Sequence, residues 1–296
     1  MSETAKTDLR LELPTWYRRG DLERYWGRDP KSQQERVDPG RIRWALRSPW
    51  GPLGVEAVWE EKADTSEVHI RLSGEARDRK AWAESALRRL FGLHLDPAAF
   101  EATLRGGPDE RLIAGSEGLT IPQTATVFDG AVWVICGQQV SLPVAFALRR
   151  RLAERFGQPL GELFAPPLPA ELAPLEVSDL GELGFSRRKA EYLIGLSRLI
   201  EEGLDLEAMR EKPAEEVETV LQGIRGFGPW SVNYVMMRAL GFEDQVPVGD
   251  AGLARALVRY FELDGRPDAD KTRALMRRFS PHQSLATFHF WASFAG

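Results

Sequence analysis

The sequence predicts an α+β chain: a small amino-terminal antiparallel sheet, then an all-α region of two helical subdomains. Three observations carry this expectation. Between Arg41 and Gly74 apolar residues recur with a period of two, at Ile42 and Trp44, at Val55, Ala57 and Trp59, and at Val68, Ile70 and Leu72. Gly/Pro and Asp/Thr/Ser breaks separate these runs, as in a meander with one wet face. After Ala76 the spacing becomes helical, beginning with Trp82, Ala86, Leu87, Leu90 and Phe91. The change puts a boundary near residues 76 to 80, dividing the chain into an α+β domain at 1–78 and a helical region at 79–296.

Residues 11 to 36 mix polar and aromatic types, and Trp16, Tyr17, Tyr25 and Trp26 read as docking this segment onto the core, with lying over a substrate as the other reading. Apolar periodicity and stop signals place helices at about 81–93, 97–105, 124–136, 141–156, 187–202, 213–222, 229–240, 250–262, 268–279 and 282–294. Gly157-Gln158-Pro159, Pro166-Pro167 and Gly203 supply breaks between them. Gly184-Phe185-Ser186-Arg187 reads as a capped helix start, with a second phosphate contact as the other reading. No solenoid-like period and no low-complexity tract occurs.

With 296 residues, 43% of them hydrophobic, the chain can bury a substantial core. No apolar run approaches the roughly 20 residues that span a bilayer, and the start, MSETAKTDLR, lacks a signal peptide's apolar centre. A single cysteine, Cys136, excludes an intramolecular disulfide and any four-cysteine metal site; a cytoplasmic protein is expected. His69, His94, His282 and His289 are scattered without metal-ligand spacing. Cys136 lies in an apolar segment and reads as core, and His289 as structural. The net charge of −5 does not by itself point to nucleic acid. Arg149-Arg150-Arg151, Arg187-Arg188-Lys189, Arg225 and Arg277-Arg278 are the local basic clusters that would have to supply a footprint.

The most informative stretch is LQGIRGFGPWSVNYVMMRALG, Leu221 to Gly241, followed by QVPVGDAG. Gly226 and Gly228 let the backbone turn back sharply, and Pro229 suits the first position of a new helix. A helix–hairpin–helix is therefore expected at about 213–240. Its loop, nearly free of side-chain bulk, offers unpaired backbone N–H groups to a phosphate; a plain tight turn between packed helices reads the same way. Trp230 and Tyr234, four apart, share a helix face as pocket wall or core stripe. Asp250, twenty-two positions after Gly228, is by position a helix N-cap.

Leu221, Gly226, Phe227, Gly228, Trp230, Ser231 and Asn233, with Asp250 downstream, resemble the helix-hairpin-helix DNA glycosylase superfamily. Val134-Ile135-Cys136-Gly137-Gln138-Gln139-Val140-Ser141 and His289-Phe290-Trp291 extend the likeness to the bacterial 3-methyladenine DNA glycosylase II branch of alkylation repair. The resemblance covers residues 80 to 296 well and the amino-terminal part loosely. It implies hydrolysis of the N-glycosidic bond of alkylated bases in double-stranded DNA after base flipping, by a monomer needing no cofactor.

Residue by residue, the resemblance makes Asp250 the catalytic carboxylate and Trp230, Tyr234 and Trp291 the walls of the base pocket. Trp230 stands where bifunctional members carry a Schiff-base lysine, which implies no lyase activity. Gln139 stands where a leucine wedge is usual. Gly226, Gly228 and the Ser231 hydroxyl would hold the DNA backbone, with Arg225 in place of a usual proline. Carbonyls of Gln222, Ile224 and Phe227 would hold a structural Na+ or K+. Gly249 and Ala251 flank Asp250 where an aspartate and a tyrosine are usual, which implies a wider pocket that admits bulkier adducts. The rival readings are a non-catalytic helix-hairpin-helix DNA-binding module, a glycosylase/lyase for oxidised bases, and a protein-interaction domain.

Overall fold

The computed structural model of the chain describes residues 7–59 and 67–293. The first six residues, the Asp64-Thr65-Ser66 break and Phe294 at the end of the last expected helix lie outside the described residues. In chain order the elements begin with β1 (Thr7–Glu12), α1 (Arg19–Trp26), β2 (Glu35–Asp38), β3 (Arg41–Ser48), β4 (Gly51–Val58) and β5 (Glu67–Gly74). Next come α2 (Lys80–Leu90), α3 (Pro97–Leu104), α4 (Val127–Gly137), α5 (Leu142–Phe156), β6 (Gln158–Leu160), β7 (Leu163–Ala165), α6 (Pro169–Leu172), α7 (Val177–Gly181) and α8 (Arg187–Glu201). The last are α9 (Ala214–Gln222), α10 (Pro229–Val235), α11 (Ala251–Tyr260), α12 (Ala269–Met276) and α13 (Gln283–Ala292).

The chain packs into two compact units, Met1–Arg88 with Ala131–Asp205 and Arg89–Gly130 with Leu206–Gly296. Packing thus groups residues differently from the change of secondary-structure type near residue 78.

In the first unit the five strands form an antiparallel sheet in the order β1-β5-β4-β3-β2. The predicted alternation is realised: Val68, Ile70 and Leu72 point to the core while Arg71 between them is exposed. Two edge strands, β1 and β2, were hidden in segments rich in charge, because an edge strand needs only half its residues to be apolar. Trp26 meets Trp44 edge-to-face at 5.8 Å, so it docks α1 onto the sheet. A two-stranded ladder, β6 with β7, lies within the otherwise helical remainder of the chain. Leu160, Leu163 and Ala165 pack there on Ala45 of β3.

The arginine run on α5 is spent inside this unit. Arg149 makes a bidentate pair with buried Glu35 at 2.6 and 2.9 Å, and Arg150 reaches buried Asp29 at 2.7 Å. Arg151 donates to the Leu183 carbonyl at 2.8 Å. The expectation that this run supplies a basic footprint is therefore corrected for two of its three members: carboxylates far away in sequence already neutralise Arg149 and Arg150, while Arg151 stays exposed on a neutral carbonyl. Gly184 at φ 86° and the Ser186 side chain, accepting from Lys189 N–H, make a capped start for α8. Lys189 Nζ donates to the carbonyls of Ile135 and Cys136 at 2.9 and 2.5 Å, closing the carboxyl end of α4. Burial pushes the Cys136 thiol up to about 12, consistent with a core residue.

In the second unit the ten-residue α11 and α13 pack together and carry the segment treated next. The helix expected at 229–240 changes pitch: α10 runs to Val235, and Met236–Leu240 is a π-helix ended by Gly241 at φ 88°. Gln123 Nε2 donates to the Met237 carbonyl at 3.2 Å, satisfying a group that the widened turn leaves open. Close packing forces Gly130: a Cβ there would stand 2.4 Å from that of Ala239.

Candidate active site

The hairpin forms where the glycines and Pro229 place it. α9 ends at Gln222, and Phe227 N–H donates to the Ile224 carbonyl at 3.0 Å to close the turn. Gly226 takes φ 96°, which a side chain would resist, whereas Gly228 is extended at φ −81°. Of the two glycines expected to let the backbone turn back, only Gly226 therefore does so through a positive φ. Gly228 is exposed, and a Cβ added to it would meet nothing within 4 Å. Pro229 opens α10, while Ile224 and Phe227 are buried beneath the turn and Gln222 and Arg225 lie exposed. Ser231, expected to present its hydroxyl to DNA, is only 3% exposed.

From the hairpin the chain returns along residues 241–249 to Asp250, and hydrogen bonds hold this return. Asn233 is one residue of the motif whose work was not legible. Its Nδ2 donates to the Pro229 carbonyl at 2.9 Å and its Oδ1 accepts Val246 N–H at 3.3 Å. Ser284, at the start of α13, accepts Gln245 N–H at 3.1 Å and donates to the Phe242 carbonyl at 2.7 Å. Gly249 takes φ 90°, and Asp250 N–H donates to the Pro247 carbonyl at 3.0 Å. The acid is thus presented on a turn tied to both neighbouring helices.

Asp250 is the N-cap of α11 and more than that. Its Oδ1 accepts Leu253 N–H at 2.8 Å and Trp291 Nε1–H at 3.0 Å. Its Oδ2 accepts Trp230 Nε1–H at 3.1 Å. Three donors on two oxygens fix the carboxylate plane. The Asp250, Trp230, Tyr234 and Trp291 side chains are all partly exposed, so the group opens to solvent. Tyr234 stands between the indoles, 5.3 Å from the Trp230 ring and 5.8 Å from the Trp291 ring. The sequence reading of Trp230 as wall or core stripe did not anticipate that its N–H would grip the acid.

Gly252 completes the arrangement and was overlooked. A Cβ there would come 3.1 Å from Asp250 Oδ1 and 3.4 Å from Trp291 Cδ1. A methyl group there would thus crowd the carboxylate oxygen while making ordinary contact with the indole. The Asp-x-Gly spacing was visible, but nothing local marked which ring lies beside it. Behind the site, His289 is fully buried with Nδ1 3.0 Å from Ser116 Oγ, a structural role as expected. Gln139 lies in the other compact unit, exposed, with a left-handed backbone at φ 54° that non-glycine residues adopt sparingly.

The hairpin, the returning loop and the capped acid all fall within one known pattern. Residues 132–282 match the HhH-GPD superfamily base excision DNA repair protein model, which is about half the chain. The chain belongs to the HhH-GPD superfamily. A DNA-3-methyladenine glycosylase of Bacillus subtilis is 32% identical over 179 residues, 59% of each chain. DNA-3-methyladenine glycosylase 2 of Escherichia coli is 30% identical over 227 residues, 76% of each chain. The matched region of this HhH-GPD protein spans 59% of the length of its Bacillus subtilis relatives. A solved 3-methyladenine DNA glycosylase from Archaeoglobus fulgidus shares the fold, with a TM-score of 0.83 at 24% identity, covering 96% of this chain and 97% of that one.

Proposed function

We propose that this HhH-GPD protein is a monofunctional DNA glycosylase that removes alkylated bases from duplex DNA. The observation that carries the reading is Asp250, held by the indole N–H groups of Trp230 and Trp291 beside Tyr234. Breaking an N-glycosidic bond leaves positive charge on the sugar, and a fixed, ionised carboxylate stabilises that charge without having to reorganise. The bonding electrons leave with the base. Water then adds to C1′, and its proton passes to Asp250 and on to solvent.

A single carboxylate suffices when the leaving base is already cationic, because such a base departs neutral without a general acid. The three ring faces suit this substrate, each attracting a desolvated cation by roughly 0.5–2 kcal/mol. A damaged base also costs less to flip out of the duplex. The E. coli and B. subtilis relatives are named for 3-methyladenine, which supports the same class. Gly249 and Ala251, both exposed beside Asp250, leave room for bulkier adducts such as an ethenoadenine.

Trp230 cannot form a Schiff base with an opened sugar, so the product is an intact strand with an abasic site. The DNA backbone is gripped by the hairpin at Gly226 and Gly228, with Arg225 alongside. Gln139 fills the gap left by the flipped nucleotide. The protein acts as a monomer and needs no cofactor. Carbonyls of Gln222, Ile224 and Phe227 suit a Na+ or K+: the Ile224 oxygen accepts one N–H and keeps a second lone pair. Such an ion would add positive charge beside a DNA phosphate.

The test is base release from methylated duplex DNA by wild type and Asp250→Asn. Asparagine retains the cap but not the charge, so release should fall at least 10²-fold with the fold intact. Equal release by the two proteins would sink the enzymatic reading, and a borohydride-trapped adduct would overturn the monofunctional one.

A further inference from the structure

Arg266 lies in the exposed turn between α11 and α12, sixteen positions after Asp250. One of its guanidinium nitrogens donates to the Gly249 carbonyl at 3.0 Å, the carbonyl of the peptide unit that leads into the acid. That peptide is consequently held at both ends, since Asp250 N–H donates to the Pro247 carbonyl at 3.0 Å. Among the described residues, Arg266 makes no other hydrogen bond or ion pair. The acid two positions on, Asp268, is engaged in capping α12 through Lys271 N–H at 2.8 Å.

A guanidinium carries five donors, so one tethered to a carbonyl has others left to face solvent beside Asp250. This matters because a polyanion has to approach a carboxylate, and like charges oppose it. The basic clusters read from the sequence do not relieve the problem where they are already paired, as Arg149 and Arg150 are.

Resting on the glycosylase reading, we propose that Arg266 is a phosphate-binding and positioning residue. It takes a backbone phosphate next to the flipped nucleotide and, by the same side chain, fixes the Gly249–Asp250 peptide. The phosphate completes the guanidinium's shell, so the tether on Gly249 tightens when DNA is bound. Carboxylate alignment is thereby coupled to the arrival of the strand.

The experiment measures binding of a duplex carrying one tetrahydrofuran abasic-site analogue over a range of salt concentrations. Base release from methylated duplex DNA is measured in parallel, with thermal unfolding as a check on the fold. Arg266→Ala should weaken binding about tenfold at low salt and reduce the slope of log K against log salt by about one, the signature of one lost phosphate contact. Arg266→Lys should restore the slope. Arg266→Gln keeps a donor for the Gly249 carbonyl without the charge, so it should show the alanine slope with release closer to wild type. An unchanged slope in Arg266→Ala, with wild type binding and releasing base, overturns the phosphate contact and leaves the glycosylase reading intact. A wild-type protein that neither binds the analogue nor releases base overturns both.

Discussion

Trp291 and Asp250, forty-one positions apart, meet through a 3.0 Å hydrogen bond from the indole N–H to the same carboxylate oxygen that caps α11. A helix cap and an aromatic wall are therefore one device. The side chain that would stabilise a sugar cation is aligned both by the backbone of the helix it starts and by the ring that would hold the base.

Removing one indole donor at a time separates alignment from ring burial. Trp291→Phe and Trp230→Phe each keep an aromatic face and delete one charge-assisted hydrogen bond, worth about 1.5–3 kcal/mol. Base release from methylated DNA should fall roughly 10- to 100-fold in each variant, while the unfolding temperature drops by only several degrees. Rates equal to wild type would show that the indoles only pack.

Gly252→Ala sets stability against activity. Alanine favours helix over glycine by about 1 kcal/mol, so the unfolding temperature should hold or rise. Its methyl group would press on Asp250 Oδ1, 3.1 Å away, with the Trp291 edge in ordinary contact at 3.4 Å. Release should drop about tenfold while unfolding shows no loss, as differential scanning calorimetry alongside the release assay will report.

His94 predicts an acid limb in stability. Desolvation by the surrounding protein, with Arg210 and Arg89 nearby, lowers its pKa from 6.5 to about 3, although part of the ring surface stays exposed to solvent. The folded state keeps the ring neutral, while the unfolded chain takes up a proton below pH 6.5. The unfolded state therefore binds more protons in this window, and folding weakens as pH falls from about 6.5 toward 3, by well under about 1 kcal/mol per pH unit from this group, because solvent at the exposed ring screens the effect. Denaturant titrations of His94→Gln should show that slope flattened. An identical acid limb in the variant would mean that other groups set it.

Arg149→Ala tests the correction about charge. The guanidinium pairs bidentately with Glu35, whose side chain is 5% exposed, so deleting it strands a buried carboxylate at a cost on the order of 3 kcal/mol. Urea unfolding should register that loss. The salt dependence of DNA binding should stay at the wild-type slope; a decrease of one would restore the arginine run as a footprint.

Much of the fold was legible because its signals are local. The alternation at Val68, Ile70 and Leu72, the caps and glycine stops of the helices, and Gly226 to Pro229 each reflect a preference settled within a few residues. Three features were not legible for want of such signals. Edge strands such as β1 and β2 are short and rich in charge, and short helices such as α6 and α7 are too brief to show a period. The π-helix at Met236–Leu240 depends on Gln123, more than a hundred positions earlier, to take up a carbonyl.

The sequence by itself determined where the chain turns, which helices frame the hairpin, and that an acid follows it at the head of α11. Tertiary structure alone decided what that acid touches: Trp291 and Trp230 on its oxygens, Gly252 beside it and Arg266 on the preceding carbonyl; it likewise gave Arg149 and Arg150 to Glu35 and Asp29. The reason is physical. Backbone preferences act over one or two turns, whereas the partner of a polar side chain depends on which distant segments the packing of apolar faces brings within about 3 Å.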